Sequence, residues 1–436
     1  MNDLSSFMPR VKSGLLTLFA ISVLLIAGGS VSLDGQPPPP AVHIDLQQAI
    51  HLALEHNHAL LAARTQVTQS KANEITASIR PNPVLTWNGL FLPFFTSSQL
   101  NGDYINNATE FDLLFSYTIE RGHKRKWRMQ NARDNTAVVE SEVQDNERAL
   151  TFNVAQQFVN VLLAESSLAF AQQNMASFQK TLDLSEERYK KGAISEGDLL
   201  KIKLQMLEFQ KDVASARLAR QQALDSLRDL LGYESVPRNY DVIGKLEYTP
   251  IQGNLEDYQA KALNLRPDLR AANQAVVAAK SQYMLAKANG KRDLTLTSGY
   301  SHVAAANDAS FSANIEIPLF DRNQGEIART HAAITQAEEA KDATQQAVMT
   351  DVATAFEAVK TGERIIQLYQ SGYLKESKES LDISQYAYQR GAASLLDFLD
   401  AERSYRSTEL AYRETLAAYM LAVEQLNEAT GMRQSP

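Results

Sequence analysis

The chain of 436 residues contains no cysteine, which removes a disulfide framework, a thiolate metal site and a lipid-bearing cysteine at a mature N-terminus. Aromatic residues are scarce at 8 %, with two tryptophans, so an apolar content of 44 % rich in Ala favours long helices over a thick globular core. Basic charge is not in excess either. A net charge of −8 argues against general nucleic-acid binding, and no nucleic-acid partner is expected. Enzyme fingerprints are also missing: there is no Gly-x-Ser-x-Gly, no Gly-x-x-x-x-Gly-Lys and no dinucleotide motif, so neither catalytic residues nor a cofactor are expected.

The apolar run GLLTLFAISVLLIAGG at 14–29 follows Arg10 and Lys12 and is followed by small and polar residues. It falls short of the roughly 20 residues that a membrane-spanning helix needs and has the layout of a secretory signal peptide over 1–32, with an uncleaved anchor as the other reading. An exported chain is expected. PPPP at 37–40 makes 33–43 a stiff extended spacer.

The remainder is written twice. YKKGAISEGDLLKI at 189–202 matches YQRGAASLLDFLDA at 388–401, and one offset relates Leu182 to Leu381, Tyr189 to Tyr388, Gly192 to Gly391, Ser195 to Ser394, Asp198 to Asp397 and Gly232 to Gly431. A duplication accounts for this better than chance. The expected organisation is repeat 1 over 44–232, a non-helical linker over 233–254 and repeat 2 over 255–432. Each repeat reads as helix, β-hairpin (84–120 and 293–320), long helix and return helix.

The hairpins rest on period-two alternation. TEFDLLFSYTIE at 109–120 and FSANIEIPLF at 311–320 each set apolar residues on one face, and VLTWNGLFLPFF at 84–95 and LTLTSGYSHV at 294–303 are their partners. About 10–12 residues is the length of a tilted strand crossing a bilayer. Four strands cannot close a barrel, and lipid does not tolerate open edges, so a membrane reading requires other subunits to complete the sheet. The soluble alternative is a pair of hairpins capping a helical bundle.

From about Lys126 to Lys190 there is no Pro or Gly, and Val154, Val161, Leu168, Met175, Leu182 and Tyr189 recur every seven residues as a coiled-coil seam. A second long helix is expected from about Gly325 to Arg390. Gly192 and Gly391 mark the reversals. The return helix 193–232 is expected to run end to end with 255–290, and 392–431 with 45–80. This sets the signature copies at one end and the hairpins at the other.

Two hairpins, long and broken helices, and tips reading Tyr-x-x-Gly-x-x-Ser-x-x-Asp-x-Leu resemble the TolC-like outer-membrane efflux proteins of Gram-negative bacteria. RPNPVL at 80–85, IERGHKRKWR at 119–128 and IPLFDRNQGEI at 317–327 are most similar to the cobalt-zinc-cadmium and copper-silver branch. The resemblance implies a mainly α chain with a small transmembrane β part. It further implies a homotrimer with a 12-stranded β-barrel and a 12-helix coiled-coil α-barrel, docked on a periplasmic adaptor and an inner-membrane RND pump. The implied function is a non-enzymatic outer-membrane channel that extends into the periplasm and conducts heavy-metal cations. Drugs or organic solvents are the alternative cargo, and a periplasmic coiled-coil adaptor is the rival class.

Carried over on matching positions, Asp397 and Asp400 line the channel aperture. Three copies would make acidic rings that attract cations and favour proton uptake, whereas repeat 1 keeps Asp198 but has Lys201 in place of the second acid. Gly192, Ser195, Asp198, Gly391 and Ser394 match the adaptor-docking tips. The basic stretch Arg121, Lys124, Arg125, Lys126, Trp127 and Arg128 reads either as a rim for outer-membrane lipid headgroups or as a solvated helix start. His51, Glu55 and His58 share a helical face, but without a His-Glu-x-x-His pattern no metal site is assigned.

Overall fold

The structure, a computed structural model, describes residues 42–96, 98 and 101–432. The expected signal peptide lies outside the described residues, as does the expected spacer apart from Val42 and His43.

A short strand β1 (His43–Ile44) leads into α1 (Leu46–His56), which opens on a capping box: the Asp45 carboxylate accepts from the Gln48 N–H at 2.8 Å, and the Gln48 side chain accepts from the Asp45 N–H at 3.0 Å. The helix expected over 45–80 is in fact two. It breaks at Asn57, whose side chain caps α2 (His58–Ser78) by accepting from the Leu60 N–H. Then come β2 (Val84–Leu90), a helical turn α3 (Gly102–Ala108), β3 (Glu110–Ile119), the unbroken α4 (Lys124–Lys190, 67 residues) and α5 (Glu196–Leu231). At 1.5 Å per residue, α4 is roughly 100 Å long.

The linker is not wholly irregular. It contributes β4 (Asp241–Val242), which pairs in parallel with β1 and ties the residues just before α1 to the linker. Repeat 2 follows with α6 (Leu255–Leu265) and α7 (Pro267–Asn289), again two helices where one is expected, divided at Arg266 before a proline that cannot continue the hydrogen-bond ladder. The strands β5 (Leu294–Val303) and β6 (Ala306–Ile315) lead to α8 (Gln324–Leu368), α9 (Leu374–Arg390) and α10 (Leu395–Thr430). The second long helix is therefore interrupted. A π turn at 369–373 holds Gly372 at φ 154°, which side-chain-bearing residues rarely adopt.

The helices form four columns. α2 and α5 pack on α4, which also packs on α7 and α10, and these pack in turn on α8 and α9. The end-to-end partners differ from those expected. Asn57 Nδ2 donates to the Leu230 carbonyl at 3.0 Å, so α5 abuts α2; Arg266 Nη1 donates to the Ala429 carbonyl at 3.3 Å, so α10 abuts α7. Length alone allows either pairing; the polar atoms left at each helix break select this one. Apolar clusters lock each joint. Ile50, Val154, Val161 and Leu227 bury together at the first, and Tyr258, Val352, Tyr419 and Leu426 at the second.

The strands follow the same order as the columns, β2-β3-β5-β6, all antiparallel in one sheet, with Leu113 facing Trp87 on one side and Tyr300 on the other. Two strand boundaries are corrected. β2 ends at Leu90 because Phe91 turns to φ 58° and Pro93 follows. β6 starts five residues before the expected Phe311, across a two-residue turn at Ala304 and Ala305, both at positive φ. The alternation in 316–320 that suggested strand belongs to an exposed turn around Pro318.

Candidate functional site

The sheet has two chemically different faces. Register puts Leu85 and Trp87 on β2, Phe111, Leu113, Phe115, Tyr117 and Ile119 on β3, Leu294 and Leu296 on β5, and Phe311 and Ile315 on β6 on one side. Among the described residues nothing covers the largest of them: Trp87 is 65 % and Phe311 74 % exposed, so this face requires a non-aqueous environment. The opposite face carries Thr86, Asn88, Asp112, Ser116, Thr118, Thr295, Thr297, Ser301, Asp308 and Ser310. Its hydroxyls pair across strands, Ser116 with Thr297 at 2.9 Å and Thr118 with Thr295 at 3.1 Å. β2 and β6 are the outer strands, each with a single neighbour, so the sheet is open at both edges. An apolar side, a polar side and two unpaired edges are what a stave of a larger barrel presents.

The far ends of the helices are built by the duplicated signature. Gly192 (φ 72°) and Gly391 (φ 75°) end α4 and α9 in the left-handed conformation, and the next N–H in each closes back five residues, Ala193 to Arg188 and Ala392 to Ala387, both at 2.8 Å. Ser195 and Ser394 then start the return helices: each hydroxyl accepts from the backbone N–H of Asp198 or Asp397 and donates to the same residue's carboxylate, at 2.9 Å and 2.7 Å. The repeated Gly, Ser and Asp thus have a shared folding role, and the Ser-x-x-Asp spacing was the sequence signal for it.

Asp397 and Asp400 are both exposed on the first turns of α10. Hydrogen bonds from the Ser394 hydroxyl and N–H hold the Asp397 carboxyl of the single chain below the usual carboxylate range. In the first tip, Lys201 lies 3.9 Å from Asp198, so the two tips differ in charge.

The basic stretch is mostly turned inward. Lys124 pairs with Asp293 at 2.8 Å, Arg125 donates to the Ser78 carbonyl at 2.5 Å, and Arg128 bonds Glu120 at 2.7 Å as well as the Ala77 carbonyl. These three bolt the ends of α2, β3 and β5 to the start of α4, leaving Arg121 and Lys126 exposed, the latter with its ammonium 5.5 Å from the Trp127 ring. The histidine face dissolves. The break at Asn57 separates His58 from the helix of His51, and Glu55 has His51 at 3.6 Å and His56 at 3.8 Å. Among the described residues no group of three or more His, Asp or Glu is arranged to hold a metal ion, and no helix is long and apolar enough to cross a membrane.

A sheet with three ten-residue strands and one apolar and one polar face, mounted on helical columns that reverse at two built tips, defines a subunit of a membrane conduit. Residues 49–233 and 259–432 match the family model described as Outer membrane efflux protein, and the chain belongs to that family of non-enzymatic outer-membrane channels. It is 22 % identical over 400 residues to the cobalt-zinc-cadmium resistance protein CzcC of Cupriavidus metallidurans, covering 91 % of this chain and 92 % of that one. Against the cation efflux system protein CusC of Escherichia coli it is 27 % identical over 393 residues, 86 % of this chain and 83 % of the other. A crystal structure of CusC shares the fold, with a TM-score of 0.73 at 24 % identity over 92 % of this chain and 95 % of that one.

Proposed function

We propose that three copies join β6 to the next β2, closing a twelve-stranded barrel over a helical tunnel, and that the duct passively conducts metal cations. The observation that carries this reading is the open-edged, two-faced sheet: with lipid outside and water inside, both faces and both edges are satisfied only in a closed ring. The column order supports it, because α2 with α5 and α8 with α9 are left as outer columns in the same order as the outer strands. Cargo is supported by the names of CzcC and CusC and by the carboxylates Asp112 and Asp308 on the polar face.

In this reading Asp397 and Asp400 ring the periplasmic aperture, and the tips at Gly192, Ser195, Asp198, Gly391 and Ser394 meet a periplasmic adaptor linked to an inner-membrane pump of RND type. An added side-chain carbon would meet nothing within 4 Å on Gly192 and only the Arg188 guanidinium, at 4.0 Å, on Gly391, which suits a contact surface. Arg121 and Lys126, with Trp127, are the side chains available to anionic headgroups at the rim. The test is single-channel recording of detergent-purified protein. Wild-type trimers should conduct cations and be blocked by multivalent cations, and Asp397→Ala with Asp400→Ala should relieve the block. A water-soluble monomer would refute the barrel; unchanged block in the double variant would refute the aperture.

A further inference from the structure

Glu402 is an acid on the wrong side of its helix. It lies on α10 two turns beyond Ser394, is only 7 % exposed, and lines a cavity of about 30 Å³ with Phe178, Phe209, Gln385 and Tyr405, room for about one water. This is the seam between the two hairpins. Phe178 of α4, Phe209 of α5, and Tyr388 and Phe398 of α9 and α10 form one stacked cluster, with Phe178 and Phe209 centroids 4.6 Å apart and Tyr388 and Phe398 5.4 Å apart. We propose that Glu402 is the proton-operated element of a latch between the hairpins, holding the seam shut when neutral and loosening it when ionised.

The surrounding charges leave the carboxylate poorly compensated. Its nearest cation, Arg406, has Nε at 3.6 Å, but that guanidinium lies over the Phe209 ring at 4.5 Å and donates across the seam to Asp212 of α5. From its own helix Glu402 also feels Arg403, and from α5 the like charge of Asp212. α4 offers only neutral Asn174, Ser177 and Thr181; α9 offers neutral Gln385, with Lys378 and Asp382 beyond it around Tyr405. Ionisation therefore adds a second carboxylate competing for Arg406, a cation that ties α10 to α5. The corresponding position of the first hairpin, Lys203, sits on the outside paired with Glu186 at 2.9 Å, so the device belongs to one hairpin alone.

Burial, with help from Asp212 and against the pull of Arg406, pushes Glu402 up to about 7. Parting the seam would hydrate the carboxyl and return it to its ordinary value of 4.5, so parting releases a proton. The ratio of parted to shut tips then rises with pH by up to about tenfold per unit between the two values and levels off above the higher one. Asp397, held below the usual range, titrates outside this window.

The latch rests on the reading that the tips bound the pore, and the experiment separates the two. Conductance of wild-type trimers, measured from the tip side, should climb as pH rises toward 7 and then flatten; Glu402→Gln should stay low throughout, and Asp212→Asn should make the climb smaller and flatten it at lower pH by freeing Arg406 for Glu402. A second readout needs no pore. The unfolding temperature of Glu402→Gln should exceed that of wild type at pH 8 and match it near pH 4, because only the ionised buried acid opposes folding. Glu165, a half-buried acid also pushed up, is unchanged in the variant, so the difference isolates Glu402. Conducting pores whose pH response survives Glu402→Gln, or a stability difference independent of pH, would overturn the latch and leave the channel standing. Wild-type protein that forms no pores would overturn both.

Discussion

The two helix joints occupy matching places in the repeats and are built from different chemistry. At the first, a neutral amide spans the break: Asn57 caps α2 with its oxygen at 3.1 Å from the Leu60 nitrogen and holds the end of α5 with its nitrogen. At the second, the buried Arg266 does the holding, bidentate to Asp268 at 2.9 and 2.6 Å, 2.9 Å from Asp351, and reaching the Ala429 carbonyl. The glycines ending the abutting helices are pressed unequally as well. A side-chain carbon on Gly232 would stand 2.7 Å from the His56 carbonyl oxygen, whereas one on Gly431 would stand 3.2 Å from the Leu265 backbone. A duplicated plan thus preserves where a joint must be, while the atoms that satisfy it are free to diverge as long as the exposed helix-end groups find partners.

The comparison breaks most sharply at the arginine. Arg266→Ala should lower stability by about 3 kcal/mol, since it strands the partly buried Asp268 carboxylate, and Asn57→Ala by only about 1 kcal/mol; thermal unfolding of both variants in detergent measures the gap. pH sharpens the contrast. Burial alone would raise Asp268, but the Arg266 bonds hold it below the usual carboxylate range, so the stability it contributes is present above that range and lost as pH falls through it. The difference between wild type and Arg266→Ala should shrink in acid, and the Asn57→Ala difference should not.

Next come the glycines. Gly232→Ala, at φ 86° and too close to a carbonyl, should cost about 2 kcal/mol, and Gly431→Ala, at φ 67° with looser contact, about 1 kcal/mol. Equal losses would mean that the joints are mechanically alike. Gly372→Ala should cost a similar 1 kcal/mol or so from φ alone, whereas Gln173→Ala, the corresponding point of the unbroken α4, should cost next to nothing. Smallest of all is the basic rim. Lys124→Ala should destabilise measurably by unpairing Asp293, while Lys126→Ala should leave unfolding unchanged and weaken only binding to vesicles containing anionic lipid.

Much of this architecture could be read without coordinates. Heptad spacing located α4 to within two residues at its start, and alternation gave β3 and β5 nearly to the residue, because in each a single face is buried or apolar over many periods. The signature glycines and serines are visible in the sequence too, and the structure adds the capping role of Ser-x-x-Asp. Less legible were β6, whose first half is small and polar, and the Ala304–Ala305 turn, which lacks the expected Asn-Gly. Glu402 could not be singled out at all: on a helix already rich in Glu and Arg, nothing local distinguishes an acid facing a seam from one facing water.

The amino-acid order alone decided the duplication, the strand faces and the reversals at Gly192 and Gly391, since each follows from periodicity or from what one residue's backbone permits. Which helix stacks on which, where the second long helix gives way, and which charges turn inward were decided only by tertiary structure. Those outcomes depend on partners far apart in the chain, Asn57 with Leu230, Arg266 with Ala429, Arg406 with Asp212, whose meeting is fixed by packing geometry and leaves no periodic trace in the sequence.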